Sequence, residues 1–146
     1  MFKLHHVGVV VENMDEAVKT YCDILGLSYS DEGIQTFTGK ENQTVIIPVD
    51  DKELEVMEPE PGTWFASHLK EHGEGLFHIA IFTDNFDEEV KVLKEKGFNL
   101  MEEETTKVFP GYTLREAFLF PEDTRGLWIA LIDAEKAPKH IGGLAP

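Results

Sequence analysis

The pattern of hydrophobic and polar positions along the chain repeats once. Residues 4–19 (LHHVGVVVENMDEAVK) and 76–91 (LFHIAIFTDNFDEEVK) align without a gap, and seven of the sixteen positions are identical. Each copy begins with an apolar run of strand length and continues with a segment in which apolar residues recur at helical spacing. The chain is therefore predicted to contain two copies of one strand-and-helix unit.

The signals that start and end a helix are repeated as well. Asn13 and Asn85 follow the two apolar runs, and each is followed three positions later by a glutamate. An Asn with an acidic residue at this distance satisfies the free amides of a first helical turn. Gly26 and Gly97 stand where the two helices are expected to end.

After each predicted helix the chain shows short β-like runs separated by Gly, Pro, Asp and Asn. The predicted strands are Ser28–Ser30, Ile34–Thr38, Thr44–Val49 and Leu54–Met57 in the first half, and Asn99–Met101, Tyr112–Phe120 and Leu127–Ile132 in the second. Each half then has the order β, α, β, β, β. We expect an α+β fold in which two βαβββ modules form a shared concave mixed sheet.

The length favours a single domain. A chain of 146 residues with 42% hydrophobic residues can bury one core, or two half-domains fused across an interface, but not two independent enzymatic domains. We predict one domain over residues 1–134, made of half-modules 1–60 and 74–134 with a connector at 61–73. Residues 135–146 form a C-terminal tail, and the FPGY segment at 109–112 is predicted to be a turn.

Side chains of a strand alternate between its two faces, and this places the repeated histidine. His6 and His78 both take the concave face, each with a small residue two positions on, Gly8 or Ala80. The helix face is assigned to Val7, Val9 and Val11 in the first copy and to Phe77, Ile79 and Ile81 in the second. His5 has the opposite parity to His6 and is assigned a structural role.

The last strand of each half adds one further group. Alternation turns Glu55 toward the concave face in the first half, and Ala130 in the second. A carboxylate among apolar neighbours needs a partner, and two imidazoles with one carboxylate form a typical metal site. A single histidine on a strand is more often structural, and Glu55 alone would also fit an exposed sheet edge. The repetition is what favours a metal.

Composition narrows the class of partner and the compartment. The formal net charge of −15 argues against nucleic acid and anionic membranes, which bind clustered Lys and Arg. Cys22 is the single cysteine, so that no disulfide can form within the chain and a reducing compartment is indicated. The apolar run near the N-terminus is too short for a signal peptide or a membrane span. We expect a cytoplasmic protein.

Together these motifs resemble the vicinal oxygen chelate superfamily, which includes glyoxalase I, methylmalonyl-CoA epimerase, extradiol dioxygenases and bleomycin-resistance proteins. The resemblance spans about residues 4–133. It is carried by HHVGVVVENMDEAVKTYCDILGL, LEVMEPEPG, EGLFHIAI, REAFLFPED and GLWIALID. It implies a glyoxalase-like fold.

The resemblance also implies a ligand set. Metal-dependent relatives take one ligand from the first strand and one from the last strand of each half, which here are His6, Glu55, His78 and Ala130. The first three can bind one divalent ion (Zn, Ni, Co, Mn or Fe), and the fourth cannot. Relatives similar to glyoxalase I and the epimerase have a glutamate at the fourth position.

The implied function is a divalent-metal-dependent lyase or isomerase that chelates a small carbonyl compound or thioester and stabilises an enolate. A first alternative is a metal-free binding or resistance protein of the same fold, with a pocket lined by Trp128, Phe82 and Met57. A second alternative is an Fe(II) dioxygenase, because two histidines and one carboxylate also describe the facial triad of those enzymes.

Further residues take candidate roles. With Ala130 in the fourth position a general base must come from elsewhere, and Glu116 or His140 are the candidates. Arg115 matches an arginine of epimerase-like sequences, and it pairs either with a substrate carboxylate or phosphate or with a structural acid. Fold relatives commonly pair their modules across a dimer, which implies a homodimer.

Overall fold

The sequence repeat folds as two units with the same order of one strand, one helix and three strands, and the second unit has a short additional helix before its last strand. The computed structural model describes residues 1–28, 34–38, 41–105 and 114–133. Its elements are β1 (Phe2–Val10), α1 (Met14–Leu25), β2 (Gln35–Thr38), β3 (Asn42–Val49), β4 (Lys52–Pro59), α2 (Trp64–His72), β5 (Gly75–Thr83), α3 (Phe86–Glu95), β6 (Leu100–Thr105), β7 (Leu114–Leu119), α4 (Pro121–Thr124) and β8 (Trp128–Asp133). The predicted α+β architecture of two βαβββ modules is confirmed.

Some predictions fall on other parts of the chain. The FPGY turn, the tail at 135–146 with His140, and most of the predicted strand Ser28–Ser30 lie outside the described residues. The remaining predicted strands correspond to β2, β3, β4, β6, β7 and β8, with ends that differ by a few residues.

The two units join edge to edge into one eight-stranded sheet. The strand order is β2-β3-β4-β1-β5-β8-β7-β6. At the centre β1 and β5 pair antiparallel, whereas β1 with β4 and β5 with β8 are parallel pairs. The first strands of the two halves are therefore direct neighbours, and the last strand of each half flanks them.

Helix α1 begins as predicted, but α3 does so without the predicted cap. The Asn13 side chain accepts a hydrogen bond from the Glu16 amide at 3.0 Å, and Gly26 ends α1 in the left-handed region at φ 69°. Asn85 makes no side-chain cap bond, although α3 starts at the residue after it. The backbone differs, with ψ at 112° for Asn13 and 53° for Asn85, which changes the direction of the cap side chain.

Helices α1 and α3 cover one face of the sheet, and each forms a core in its half. Valines of β1, β3 and β4 pack against the buried face of α1, and apolar residues of β7 and β8 pack against α3. The buried members are Val9, Val11, Met14, Val18, Cys22, Val45, Ile47 and Val56 in the first half and Phe86, Val90, Ala117, Leu119 and Leu131 in the second. The concave face is left for the connector helix and the site.

A β-bulge in β5 moves Phe77 off its predicted face. Gly8 is the register partner of His78 and Val9 is the partner of Leu76, so that Phe77 is an extra residue. Side chains next to a bulge do not alternate. Phe77 packs with Val10, Met57, Phe65 and Trp128. The assignment of Phe77 to the helix face is therefore wrong, because alternation assumes a regular strand.

Helix α2, in the connector between the halves, lies over one end of the concave face. Trp64 at its start contacts the rings of Phe77, Phe118 and Trp128 at centroid distances of 5.4, 5.7 and 5.0 Å. The helix is capped by Thr63, whose side chain accepts a hydrogen bond from the Ala66 amide. This aromatic cluster therefore lies next to His78, whose ring contacts those of Phe77 and Phe118.

Candidate metal centre

Gly8 is the point at which the three predicted ligands meet. It is the register partner of Glu55 on β4 and of His78 on β5, and His6 lies two residues earlier on the same strand. A Cβ at Gly8 would lie 2.2 Å from Cε1 of His78. The missing side chain thus gives the His78 ring the space in which it reaches His6.

The donor atoms of the three side chains form a small triangle. Nε2 of His6 lies 2.8 Å from Nε2 of His78 and 3.1 Å from Oε2 of Glu55, and the third side, from His78 Nε2 to that oxygen, measures 3.4 Å. Metal–ligand bonds of about 2.1 Å place two donors about 3.0 Å apart in an octahedral site and about 3.4 Å apart in a tetrahedral one. The group therefore fits one divalent ion of the kind that binds imidazole and carboxylate.

Burial and mutual charge set the protonation of this group. Burial raises the pKa of the Glu55 carboxyl, but the charge and hydrogen bond of His6 outweigh it and bring that pKa down to about 2. Burial and the charge of His6 lower the pKa of His78 to about 3. Burial disfavours the charged form of His6 as well, yet Glu55 raises the pKa of His6 above its ordinary value. One proton on His6 therefore balances Glu55, and a metal ion would replace that proton.

A second buried group lies directly behind His6. Nδ1 of His5 is 2.6 Å from Nδ1 of His6, and Nε2 of His5 is 3.8 Å from Oε2 of Glu53. The His5 and Glu53 side chains are 3% and 0% exposed. Burial lowers the pKa of His5 to about 3 and raises the pKa of Glu53 to about 7. Within the described residues neither Glu53 oxygen has a hydrogen-bond partner.

Strand parity predicts that His5 lies on the face opposite to His6, and this assignment is wrong. Leu4 pairs with Ile81 and His6 pairs with Ala80, which leaves His5 as an extra residue in β1. This bulge turns His5 to the side of His6. No feature of the sequence predicts the bulge. Glu53, in contrast, has the parity of Glu55, and alternation alone would have placed it on the concave face.

Ala130 occupies the position in the second half that Glu55 occupies in the first. It is the register partner of Ala80, as Glu55 is the partner of Gly8. The methyl group is fully buried in an apolar cluster on the concave face. The other buried members are Ile46, Ala80, Phe82, Phe118 and Ile132. β8 therefore offers no donor atom at the position where β4 offers a carboxylate.

Glu116 and Arg115 are neighbours in β7 and point to opposite faces. The register partner of Glu116 is Ile132 in the concave-face cluster, and the Glu116 charge helps to raise the pKa of His6, after the larger effects of burial and Glu55. Glu116 is thus on the side of the candidate centre.

Arg115 lies on the helix face, away from this centre. Its guanidinium pairs with Asp87 Oδ1 at 2.5 Å and with Asp133 Oδ2 at 3.3 Å, and it stacks over the ring of Phe86 at 4.6 Å. These contacts favour the structural salt bridge over the predicted contact of Arg115 with substrate.

The three predicted pocket residues all lie on the concave side, but they are not equally accessible. Met57 and Phe82 are 3% and 7% exposed, with Met57 packed under Phe65 of α2 and Phe82 in ring contact with His5. Trp128 is half-buried beside Trp64. The indole N–H groups of both tryptophans are buried and have no hydrogen-bond partner in the described part of the chain. Trp64 was not predicted to contribute to the site.

The sequence model of a known family matches most of the chain. The model of the glyoxalase/bleomycin resistance protein/dioxygenase superfamily matches residues 5–115. The chain belongs to this superfamily. The matched segment contains His6, Glu55 and His78, and it ends before β8 with Ala130.

Individual relatives within the superfamily are distant. The uncharacterised protein YqjC of Bacillus subtilis (strain 168) is 25% identical over 144 residues, which cover 96% of this chain and 97% of YqjC. Mitochondrial methylmalonyl-CoA epimerase of Mus musculus is 26% identical over 136 residues, covering 90% of this chain and 73% of that enzyme.

A solved structure agrees with the fold. The methylmalonyl-CoA epimerase of Streptomyces coelicolor, in complex with 2-nitronate-propionyl-CoA, superimposes with a TM-score of 0.71 at 22% identity, covering 90% of this chain and 96% of that chain. At this identity the likeness shows a shared fold and leaves the reaction open. No helix in the described ranges is both long enough and apolar enough to span a membrane.

Proposed function

We propose that the protein is a divalent-metal-dependent isomerase or lyase of the methylmalonyl-CoA epimerase and glyoxalase I type. The observation that carries this proposal is the triangle of His6, Glu55 and His78 donor atoms on the concave face. The mouse and Streptomyces relatives carry names that refer to acyl-CoA compounds. A CoA thioester is therefore the substrate class to test first, and a small carbonyl compound the second.

His6, Glu55 and His78 would hold one ion, and three protein ligands leave coordination positions free for a substrate. A bound divalent ion supplies Lewis acidity, which draws electrons from a carbonyl oxygen and makes the neighbouring C–H bond more acidic. Zn, Ni, Co, Mn and Fe all accept this combination of imidazole and carboxylate.

The protein must then accept and return the proton of the acidified carbon. Glu116 is our candidate for this base because it lies on the concave face, two strands away from β5 with His78. A base acts only within hydrogen-bond reach of the proton that it removes. The aromatic rings of Trp64, Phe118 and Trp128 would exclude water from this side of the centre.

Proton exchange provides the direct test of this function. Metal-loaded protein is incubated with methylmalonyl-CoA in D₂O, and mass spectrometry follows deuterium uptake at the carbon between the two carbonyl groups. We expect uptake that stops when a chelator is added and that is lost in Glu55→Gln. The control variant Glu60→Gln changes an exposed carboxylate and should keep full exchange. A fully metal-loaded protein that exchanges neither this thioester nor the hemithioacetal of glutathione and methylglyoxal would contradict the proposal.

A metal-free binding or resistance protein is the second candidate function. The observation that favours it is Ala130, which replaces a fourth ligand by an apolar, fully buried methyl group. The test is a thermal-shift series of small acids and aromatic ligands with and without chelator. Stabilisation by a ligand that chelator leaves unchanged would favour this second candidate over the first.

The homodimer and the cytoplasmic location remain predictions from the resemblance and the composition. Size-exclusion chromatography with light scattering would test the first, with an expected mass of twice the chain's 16.5 kDa. A mass of one chain at micromolar concentration would contradict the dimer.

A further inference from the structure

His5 and Glu53 form a second group of buried polar side chains that the proposed reaction does not use. Together with His6 they are close enough to bind a cation, which makes a second metal ion the first possibility to examine. Glu53 is the register partner of His6 on the neighbouring strand, and the β1 bulge turns His5 to the same side. All three residues are buried.

Proton positions on the two imidazoles can be counted from the contacts. A neutral imidazole has one N–H group and one lone pair. Nε2 of His6 faces Glu55 and His78, so its lone pair must lie on this nitrogen when His6 binds a metal. The proton of His6 is then on Nδ1, which donates to Nδ1 of His5 at 2.6 Å.

The count continues through His5 to Glu53. Because Nδ1 of His5 accepts a hydrogen bond, the proton of a neutral His5 is on Nε2, and this nitrogen faces Oε2 of Glu53 at 3.8 Å. The Glu53 carboxylate is fully buried, and in the described part of the chain no donor satisfies either oxygen. A buried carboxyl oxygen without a partner is unfavourable, and the His5 N–H is the donor that faces it.

The same count argues against a second ion between His5 and His6. Such an ion would need lone pairs on both Nδ1 atoms, whereas His6 has one lone pair, on Nε2. The two Nδ1 atoms are 2.6 Å apart, which is within hydrogen-bond distance. Their contact is that of an N–H donor and its acceptor.

We propose that His5 and Glu53 are positioning residues that fix the His6 ring with its proton on Nδ1 and increase its affinity for the metal. This inference rests on the proposed metal centre. A carboxylate behind a ligating imidazole makes the ring a better donor and holds its orientation.

Metal affinity and histidine NMR test the inference together. Zn²⁺ affinity is measured by competition with a chromophoric chelator for the full chain and for His5→Phe, Glu53→Gln and His5→Gln. Phenylalanine keeps a ring against Phe82 and removes the acceptor, whereas glutamine restores an acceptor oxygen. His72→Phe, at an exposed histidine of α2, is the matched control.

We expect His5→Phe and Glu53→Gln to bind Zn²⁺ about 10- to 100-fold more weakly, with partial recovery in His5→Gln and no change in His72→Phe. In ¹⁵N-histidine spectra of the Zn²⁺-bound protein, His6 should carry its proton on Nδ1 and His5 on Nε2. Circular dichroism confirms that each variant is folded, and the isosteric Glu53→Gln keeps the test valid if His5→Phe does not fold.

The outcomes separate this inference from the proposed function. Wild-type protein that binds Zn²⁺ through His6 while both variants keep full affinity would overturn the positioning role alone. A His6 proton on Nε2 in the Zn²⁺-bound protein would do the same. Wild-type protein that binds no divalent ion would overturn both the proposed function and this inference.

Discussion

The two halves of the molecule share one backbone plan but contribute very unequally to the candidate centre. The first half supplies His6 and Glu55, with His5 and Glu53 behind them. Of the three candidate ligands the second half supplies His78, and the residue that corresponds to Glu55 is Ala130. The repeated backbone therefore explains where the side chains lie. It does not explain why the residue types at equivalent positions differ.

The two repeated histidines also differ in their support. Nδ1 of His6 contacts His5, while Nδ1 of His78 is buried and has no hydrogen-bond partner in the described ranges. Instead of a polar contact, His78 has a place beside Gly8, which leaves room for its ring. His6 is thus oriented by a hydrogen bond, whereas His78 is oriented by the space beside Gly8.

The largest effect on metal affinity is expected for Gly8→Ala, which fills the space that the His78 ring occupies. A Cβ would lie 2.2 Å from Cε1 and 2.4 Å from Nδ1 of that ring, so that the ring must move away. We expect Zn²⁺ affinity to fall more than about 100-fold, because a ligand and not only its support is displaced. Isothermal titration calorimetry of the folded variant measures this loss.

The control is the equivalent change in the other half. Ala80→Gly removes a methyl group at the position that corresponds to Gly8 and displaces no ligand. It should destabilise the fold by about 1 kcal/mol and keep Zn²⁺ affinity. Equal affinities of Gly8→Ala and wild type would show that His78 is not a ligand.

A reciprocal exchange at Glu55 and Ala130 tests the asymmetry itself. Glu55→Ala makes the first half similar to the second, and we expect it to weaken metal binding because one of the three ligands is removed. Ala130→Glu places a carboxylate in an apolar cluster, which should destabilise the metal-free protein by about 3 to 5 kcal/mol. Zn²⁺ should restore much of that stability if the new carboxylate reaches the ion.

Chemical denaturation with and without Zn²⁺ measures both variants. An Ala130→Glu protein that is destabilised equally with and without Zn²⁺ would show that the β8 position does not face the ion. The inference that Ala130 occupies a lost ligand position would then be wrong.

The pH dependence of stability tests whether the buried Glu53 ionises. Among the described contacts of His78, no residue corresponds to Glu53. Burial raises the pKa of Glu53 from 4.5 to about 7 in the folded chain. The neutral carboxyl is thus favoured by folding, so its contribution is complete below pH 4.5 and is lost as the pH rises through 7. The shift corresponds to at most about 3 kcal/mol.

Urea unfolding of chelator-treated protein at pH 5 and pH 8 measures this contribution. Glu53→Gln cannot ionise, so its free energy of unfolding should rise relative to that of wild type between the two values. The Zn²⁺ affinity of the same variant should fall, as proposed above. A constant difference between wild type and variant across this range would exclude the ionisation of Glu53 as a determinant of stability.

The smallest effect is expected at Arg115, which pairs with acids on the helix face and does not approach the centre. Arg115→Met keeps an aliphatic contact with Phe86 and removes the pairing with Asp87 and Asp133. We expect a loss of about 1 to 3 kcal/mol in unfolding free energy, with Zn²⁺ affinity unchanged. A rise in KM for an acyl-CoA at full stability would instead support the role in substrate binding that its sequence position predicted.

The fold could be predicted from the sequence because the repeat, the helix signals and strand alternation all indicate two βαβββ modules. Alternation also assigns His6, Glu55 and His78 to one face. It failed at His5 and Phe77, because a bulge adds one residue and reverses the face that parity assigns. Such a change depends on pairing between β1 and β5, which are 65 or more residues apart in the chain, so that no local signal predicts it.

Trp64 shows a different limit of the sequence. Trp64 lies in the predicted connector, and the face of the sheet that α2 covers depends on packing against Phe77 and Trp128. For Arg115 the sequence left two roles open, since a position that matches relatives does not reveal which acids lie beside it in the fold.

The most direct test of the central claim is an anomalous diffraction measurement on crystals of the protein grown with Zn²⁺. Data collected on both sides of the zinc absorption edge locate the ion without reference to activity. We predict one peak about 2.0 to 2.2 Å from Nε2 of His6, Nε2 of His78 and Oε2 of Glu55. A zinc peak bound elsewhere, with these three atoms still in contact with one another, would contradict the account.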